Sequence, residues 1–183
     1  AGMSDYELKV PKVSAIESGF CNLEKHIENI QKFGINPVVC INAFPSDKQE
    51  EYDVLIELCA EKGVKAVVST AFADGGKGDE KLAQAIVEQV ATASANYQPL
   101  YLNTASIESK IETIATTIYG ADEVVYSALA NKQLQSIKEL GFEHFSICMV
   151  KTPASFSDDE KMIGRPTGFT VTVREFEFAS GAG

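Results

Sequence analysis

The apolar residues of this chain form short unbroken runs that alternate with longer segments of helical spacing. Between residues 14 and 33, apolar side chains recur at every third or fourth position, which predicts an amphipathic helix ended by Gly34. The run 38–41 is rich in β-branched residues and is typical of a strand buried on both faces. The same alternation predicts further strands at 65–71, 99–102, 123–126 and 145–150, and helices at 47–62, 79–93, 106–120 and 127–140.

This order of elements predicts an α/β fold, with a layered, mainly parallel sheet and flanking helices. After residue 166, the segment 170–178 alternates apolar and polar residues and predicts a C-terminal strand with one exposed face. We interpret residues 1–12 as a tag and irregular lead-in, and residues 13–150 as the main α/β domain. Residues 151–183 are interpreted as a loop and a strand that begin a further domain or extend the sheet.

Two of the predicted strands end in the same way, with an alanine, a phenylalanine and then a polar loop. The two aromatic residues are Phe44 and Phe72. Ligands of open α/β sheets bind beyond the carboxyl ends of the strands, so the two rings are predicted to stand together over one crevice. The alternative is that both rings close the top of the hydrophobic core. Lys151 and Thr152 end the strand 145–150, where they either orient a polar ligand or form a solvated strand end.

The loop 75–78 has the sequence Gly-Gly-Lys-Gly and joins a strand to a helix. Backbone N–H groups at such a position can bind phosphate. A P-loop, however, has Ser or Thr after its lysine, and here Lys77 is followed by Gly78. Asp74 and Asp79 flank the loop and would repel a phosphate. The loop is therefore either a tight turn or a nucleotide-binding loop of unusual sequence.

Charge and composition narrow the classes of function. The 183 residues include 26 acidic and 16 basic ones, and the formal net charge is −10. This balance disfavours binding to nucleic acid or to anionic membranes, since both would repel the chain. No apolar run is long enough to cross a membrane, and we expect a cytoplasmic protein. The patterns of serine hydrolases and zinc peptidases are missing, so the sequence predicts neither a catalytic residue nor a metal site.

From residue 19 to the C-terminus, a series of motifs follows in fixed order and spacing. They are 19–30 (GF-x-NLEKHIENI), 41–44 (INAF) with Asp47, 73–78 (ADGGKG), 110–115 (KIETIA), 118–122 (IYGAD), 148–152 (CM-x-KT), 166–169 (PTGF) and 181–183 (GAG). Through these motifs the chain resembles the formate–tetrahydrofolate ligases, also called 10-formyltetrahydrofolate synthetases.

The resemblance implies an enzyme that converts ATP, formate and tetrahydrofolate to 10-formyltetrahydrofolate, ADP and phosphate through formyl phosphate. It implies Mg²⁺ with the ATP, a P-loop ahead of the matched region and a homo-oligomeric parent enzyme. The chain is then expected to be a fragment that supplies the folate-facing side and is inactive alone. Its partners would be these small molecules, with no nucleic acid and no membrane. The alternative is a non-catalytic module for folate binding or subunit interaction.

The resemblance also assigns roles to residues. In the family, aromatic residues matching Phe44 and Phe72 sandwich the pterin ring, and this chain would line the same cleft with Asp74, Gly75, Gly76, Lys151 and Thr152. Two positions depart from the family pattern. Many members have Trp where this chain has Phe72, so the area available for stacking is smaller here. Bacterial members commonly have Arg where this chain has Ala43, so a cation that could bind the folate carboxylates is missing.

Overall fold

The computed structural model describes residues 10–93, 95–150 and 155–179. Helices alternate with short strands, and both strand pairs are parallel, which confirms the predicted α/β class. The helices are α1 (Val13–Gln31), α2 (Gln49–Glu61), α3 (Ala71–Asp74), α4 (Glu80–Thr92), α5 (Ile107–Ile114) and α6 (Ala128–Glu139). The strands are β1 (Val38–Asn42), β2 (Lys65–Ser69), β3 (Glu123–Tyr126) and β4 (Thr170–Val173).

The chain divides into two compact units, residues 1–98 and residues 99–183. In the first unit β1 pairs with β2, and in the second unit β3 pairs with β4, the C-terminal strand predicted after residue 166. Each described sheet therefore has two strands. The domain limits proposed from the sequence at residues 12 and 150 stay predictions.

A small apolar core holds the first unit together. Phe20 and Ile27 of α1 pack with Cys59 of α2 and with Val64, which precedes β2, and all four side chains are buried. α4 also contacts both strands, but Ala85 is the residue of this helix that is buried. The sequence predicted four larger residues of α4 to face inward, and for three of them this prediction is wrong, since they are exposed: Ile86, Val87 and Val90. The fourth, Leu82, is half-buried. A sheet of two strands is too narrow to cover the whole apolar stripe of a helix.

Two apolar clusters form the core of the second unit. One is built around β4 and the π-helical segment Ala115–Tyr119 that follows α5, and the other lies between α5 and α6. Val124 of β3 and Met149 pack against both clusters and so connect them. The two helices begin where the sequence predicted, because the hydroxyls of Ser106 and Ser127 accept hydrogen bonds from backbone N–H groups three residues later.

The predicted strand at 145–150 is wrong, since these residues form no strand. Side chains rather than a neighbouring strand bond its backbone. The Tyr101 hydroxyl accepts from the Ile147 N–H at 3.0 Å, and the Tyr119 hydroxyl donates to the Met149 carbonyl at 3.0 Å. Ile147 and Met149 of this segment pack against the helices, while the other four residues of 145–150 are exposed.

Four other predicted boundaries are corrected. Residues 99–102 form no strand, and of the predicted strand 170–178 only β4 is paired. β2 ends at Ser69, because the chain turns into α3. The helix predicted from residue 47 begins at Gln49, because the cap of α2 is Lys48, whose backbone N–H donates to the Glu51 carboxylate at 3.2 Å.

Candidate functional site

The candidate site lies where β1 and β2 end. The strands run in register to their last pair, Asn42 beside Ser69, and the Ala43 N–H then donates to the Ser69 carbonyl at 2.9 Å. The two chain segments therefore leave the sheet side by side. Phe44 and Phe72 follow, with their ring centroids 5.1 Å apart and their planes inclined at 51°. The two residues are 46% and 67% exposed, so neither ring closes the hydrophobic core.

The spacing of the two rings limits what they can bind in this arrangement. Stacked aromatic atoms lie about 3.5 Å apart, so a flat ring held between two phenyl rings needs centroids separated by about 7 Å. At 5.1 Å the phenyl rings touch each other instead. A flat ligand can stack on their exposed outer surfaces, or it can enter between them once they separate by about 2 Å.

Phe44 is held through both of its backbone groups by one residue, Asp47. The Phe44 N–H donates to the Asp47 carboxylate at 2.8 Å, and the Asp47 N–H donates to the Phe44 carbonyl at 3.0 Å. The Tyr52 hydroxyl donates to the same carboxylate oxygen at 3.2 Å. Burial, and then the negative charge of Asp47, raise the pKa of Tyr52, so its phenol keeps the proton that it donates.

The turn that carries Phe72 is held by a second carboxylate. The Ser69 hydroxyl, which is buried, donates to Asp79 at 2.5 Å and accepts from the Ala71 N–H at 3.3 Å. This pair ties the end of β2 to the residue that precedes α4. Because Asp79 is bonded to serine, its carboxylate belongs to the support of the turn rather than to a ligand-binding surface.

Gly78 packs directly on the same turn. A Cβ atom at this position would lie 2.5 Å from the carbonyl carbon of Thr70 and 2.6 Å from the nitrogen of Ala71. The Thr70 N–H also donates to the Gly78 carbonyl at 3.3 Å. The glycine is therefore required for close approach of two backbone segments, which supports the interpretation of the loop as a tight turn.

The structure describes three of the five other residues predicted for the site. Asp74, Gly75 and Gly76 directly follow the aromatic turn and are exposed, and Gly75 has a φ of 60°, a conformation that favours glycine. They adjoin the ring pair in the chain and lie at the same end of the strands. Lys151 and Thr152 lie outside the described residues.

Sequence reasoning missed the burial of Lys110. Lys110 on α5 is fully buried, and its ammonium group donates to the carbonyls of Glu143 and Phe145 at 2.6 and 3.0 Å. It also lies 5.9 Å from the centre of the Tyr101 ring. The signal was present, because Lys110 stands three residues after Ile107 and so shares the apolar face of the helix.

Two kinds of feature are absent from the described residues. Among residues 10–93, 95–150 and 155–179, no group of three or more His, Cys, Asp or Glu side chains is arranged to hold a metal ion. Over the same ranges, no helix has the length and apolar character needed to cross a membrane.

Comparison with known protein families gives a match over the whole sequence. The model of the family described as formate–tetrahydrofolate ligase matches residues 1–183.

Proposed function

Because the chain belongs to the formate–tetrahydrofolate ligase family, we propose that the pair Phe44 and Phe72 binds the pterin ring of tetrahydrofolate. The observation that carries this proposal is two exposed phenylalanines in contact beyond the carboxyl ends of two parallel strands. Large apolar side chains exposed together are typical of a binding surface. A flat heteroaromatic ring gains about 0.5–1.5 kcal/mol from each aromatic partner beyond the area it buries.

The pterin would enter by displacing the ring of Phe72. This residue is the more exposed of the two and lies on the four-residue helix α3, whereas the backbone of Phe44 is bonded on both sides. Asp74 follows on the same helix, and its carboxylate can accept hydrogen bonds from ring N–H and amino groups. Gly75 and Gly76 present no side chain, so a bound ring could lie against their backbone.

Two further residues belong to the proposal on the strength of the family resemblance. The proposed role of Lys151 and Thr152 is to bind polar parts of folate, which an ammonium group and a hydroxyl suit.

The phosphoryl-transfer half of a ligase reaction does not fit the residues present. The 183 residues contain no G-x-x-x-x-G-K-[ST] motif, and the described ones contain no acidic cluster for Mg²⁺. We therefore assign no step through ATP or its metal ion to this chain. Its proposed share of the reaction is to bind and orient tetrahydrofolate, the acceptor of the formyl group.

The pterin site can be tested by calorimetric titration of the chain with tetrahydrofolate. Phe44→Ala and Phe72→Ala should each weaken binding by about 1–3 kcal/mol, the range measured for loss of one aromatic partner of a stacked base. Tyr97→Ala is the matched control, since Tyr97 is also exposed and stacks on Phe33, with ring centroids 6.2 Å apart. Equal affinities for all three variants and the unaltered chain would refute the pterin site.

The 183-residue chain is expected to show no ligase turnover with ATP, formate and tetrahydrofolate. The reason is the missing P-loop lysine and hydroxyl, without which the charge on the transferred phosphoryl group is not stabilised. The assay measures formation of 10-formyltetrahydrofolate against a sample without protein. A rate above that background, lost in Lys77→Ala, would instead assign phosphate binding to the glycine loop.

A further inference from the structure

We propose that Asp47 is a positioning residue of the ring-binding site, which fixes Phe44 as the stationary wall on which a flat ligand stacks. The proposal rests on the proposed function, because it concerns the same site. It adds a residue that does not touch the ligand and acts through Phe44.

The bonding of Asp47 supports this role. Its carboxylate accepts from the Phe44 N–H at 2.8 Å, and its own N–H donates to the Phe44 carbonyl at 3.0 Å, so one residue closes the turn 44–47 from both sides. Pro45 lies inside this turn and restricts it further. A hydrogen bond from an N–H group to a charged carboxylate is stronger than one to a neutral acceptor.

The surroundings of Asp47 leave the carboxylate committed to this turn. Tyr52 of α2 donates to one of its oxygens at 3.2 Å, and the Ser46 hydroxyl donates to the other at 3.4 Å. The bond from Tyr52 fixes the carboxylate from the side of the helix, so the position of Phe44 is set relative to α2. Asp47 does not cap that helix, whose first residues follow Lys48.

The two phenylalanines are consequently held in different ways. The backbone of Phe44 is bonded at its N–H and its carbonyl, while Phe72 lies on a helix of a single turn. Binding a ring between them requires one wall to move and the other to keep its place. A stationary wall reduces the ordering that accompanies binding, which raises affinity without any new contact to the ligand.

The test is a double-mutant cycle on tetrahydrofolate binding to the full 183-residue chain. Asp47→Ala should weaken binding about tenfold, the size of one charge-assisted hydrogen bond. Asp47→Asn retains an acceptor oxygen and should stay within about threefold of the unaltered chain. In a Phe44→Ala background, Asp47→Ala should cause no further loss, because the wall that it positions is gone. Asp53→Ala is the matched control, since this acid of α2 bonds Gln49 instead.

The outcomes separate this proposal from the proposed function. If Phe44→Ala weakens binding and Asp47→Ala does not, or if Asp47→Ala costs the same in both backgrounds, Asp47 is not a positioning residue although the ring site stands. Loss of the far-UV circular dichroism spectrum in Asp47→Ala would give it a structural role and would equally overturn the proposal. Absence of tetrahydrofolate binding by the unaltered chain, or unchanged binding in Phe44→Ala, would overturn both.

Discussion

Lys110→Met is expected to lower the free energy of unfolding by about 3 kcal/mol, because two charge-assisted hydrogen bonds of at least about 1.5 kcal/mol each are lost. The bonds join the buried ammonium group of Lys110 to the backbone carbonyls of Glu143 and Phe145, and methionine can donate to neither carbonyl. Methionine fills a similar volume, so the change leaves no large cavity. The substitution also removes the cost of burying a charge, and this offsets part of the stability lost with the two hydrogen bonds.

The measurement is urea unfolding followed by circular dichroism. The dependence of the free energy of unfolding on urea concentration should be the same in all variants, so that a shifted midpoint reports a change in stability. Lys132→Met is the matched control, since Lys132 lies exposed on α6 in the same unit. It should change stability by no more than about 0.5 kcal/mol. A Lys110→Met chain as stable as this control would mean that water replaces the ammonium group at both carbonyls without cost.

Gly78→Ala is expected to weaken tetrahydrofolate binding by about 1–3 kcal/mol, as expected for loss of the Phe72 ring. It should also lower stability by about 2 kcal/mol, within the range for overpacked positions. The new methyl group would lie 2.5–2.7 Å from Thr70 and Ala71, and two of the atoms that it meets belong to the backbone. Rigid backbone cannot move aside as a flexible side chain would. The turn that carries Phe72 must therefore shift, and the ring pair shifts with it.

Gly19→Ala, in helix α1, provides a control in the same unit. No atom lies within 4 Å of the position that its Cβ would take, and its φ is not positive. This variant should bind tetrahydrofolate normally and be as stable as the unaltered chain, or more stable by about 0.4–1 kcal/mol through a less flexible unfolded state. Calorimetry and urea unfolding measure both effects. Similar behaviour of the two variants would contradict the close packing assigned to Gly78.

The local patterns in the sequence were sufficient to predict most of the elements. Helical spacing located α5 and α6, whose first turns are capped by the hydroxyls of Ser106 and Ser127, and β-branched runs located β1, β2 and β3. The segment 145–150 has the same kind of pattern and is not a strand. What decides its conformation is the hydroxyl of Tyr101, 46 residues away in sequence. A pattern of apolar residues carries no information about which distant group satisfies the backbone.

The aromatic pair of the candidate site could be predicted from the sequence, but the hydrogen bonds that hold its two turns could not. That Phe44 and Phe72 would meet followed from where parallel strands end, and the structure has them in contact. Asp47 was predicted to begin a helix, and its bond to Phe44 depends on a turn whose geometry the sequence does not state. Ser69 and Asp79 are ten residues apart, and only the folded turn makes them partners.

The early end of β2 decides on which side of the sheet the two rings stand. Neighbouring residues of an extended strand point to opposite faces. In the observed register, continued strands would set Phe44 beside Ala71, and Phe72 would then point to the other face. The single helical turn of α3 cancels this odd offset and returns the second ring to the side of the first. The aromatic pair thus depends on the end of β2 at Ser69, two residues before the predicted end. If β2 continued through Ala71 and Phe72, the rings would lie on opposite faces of the sheet, although the sequence would be the same.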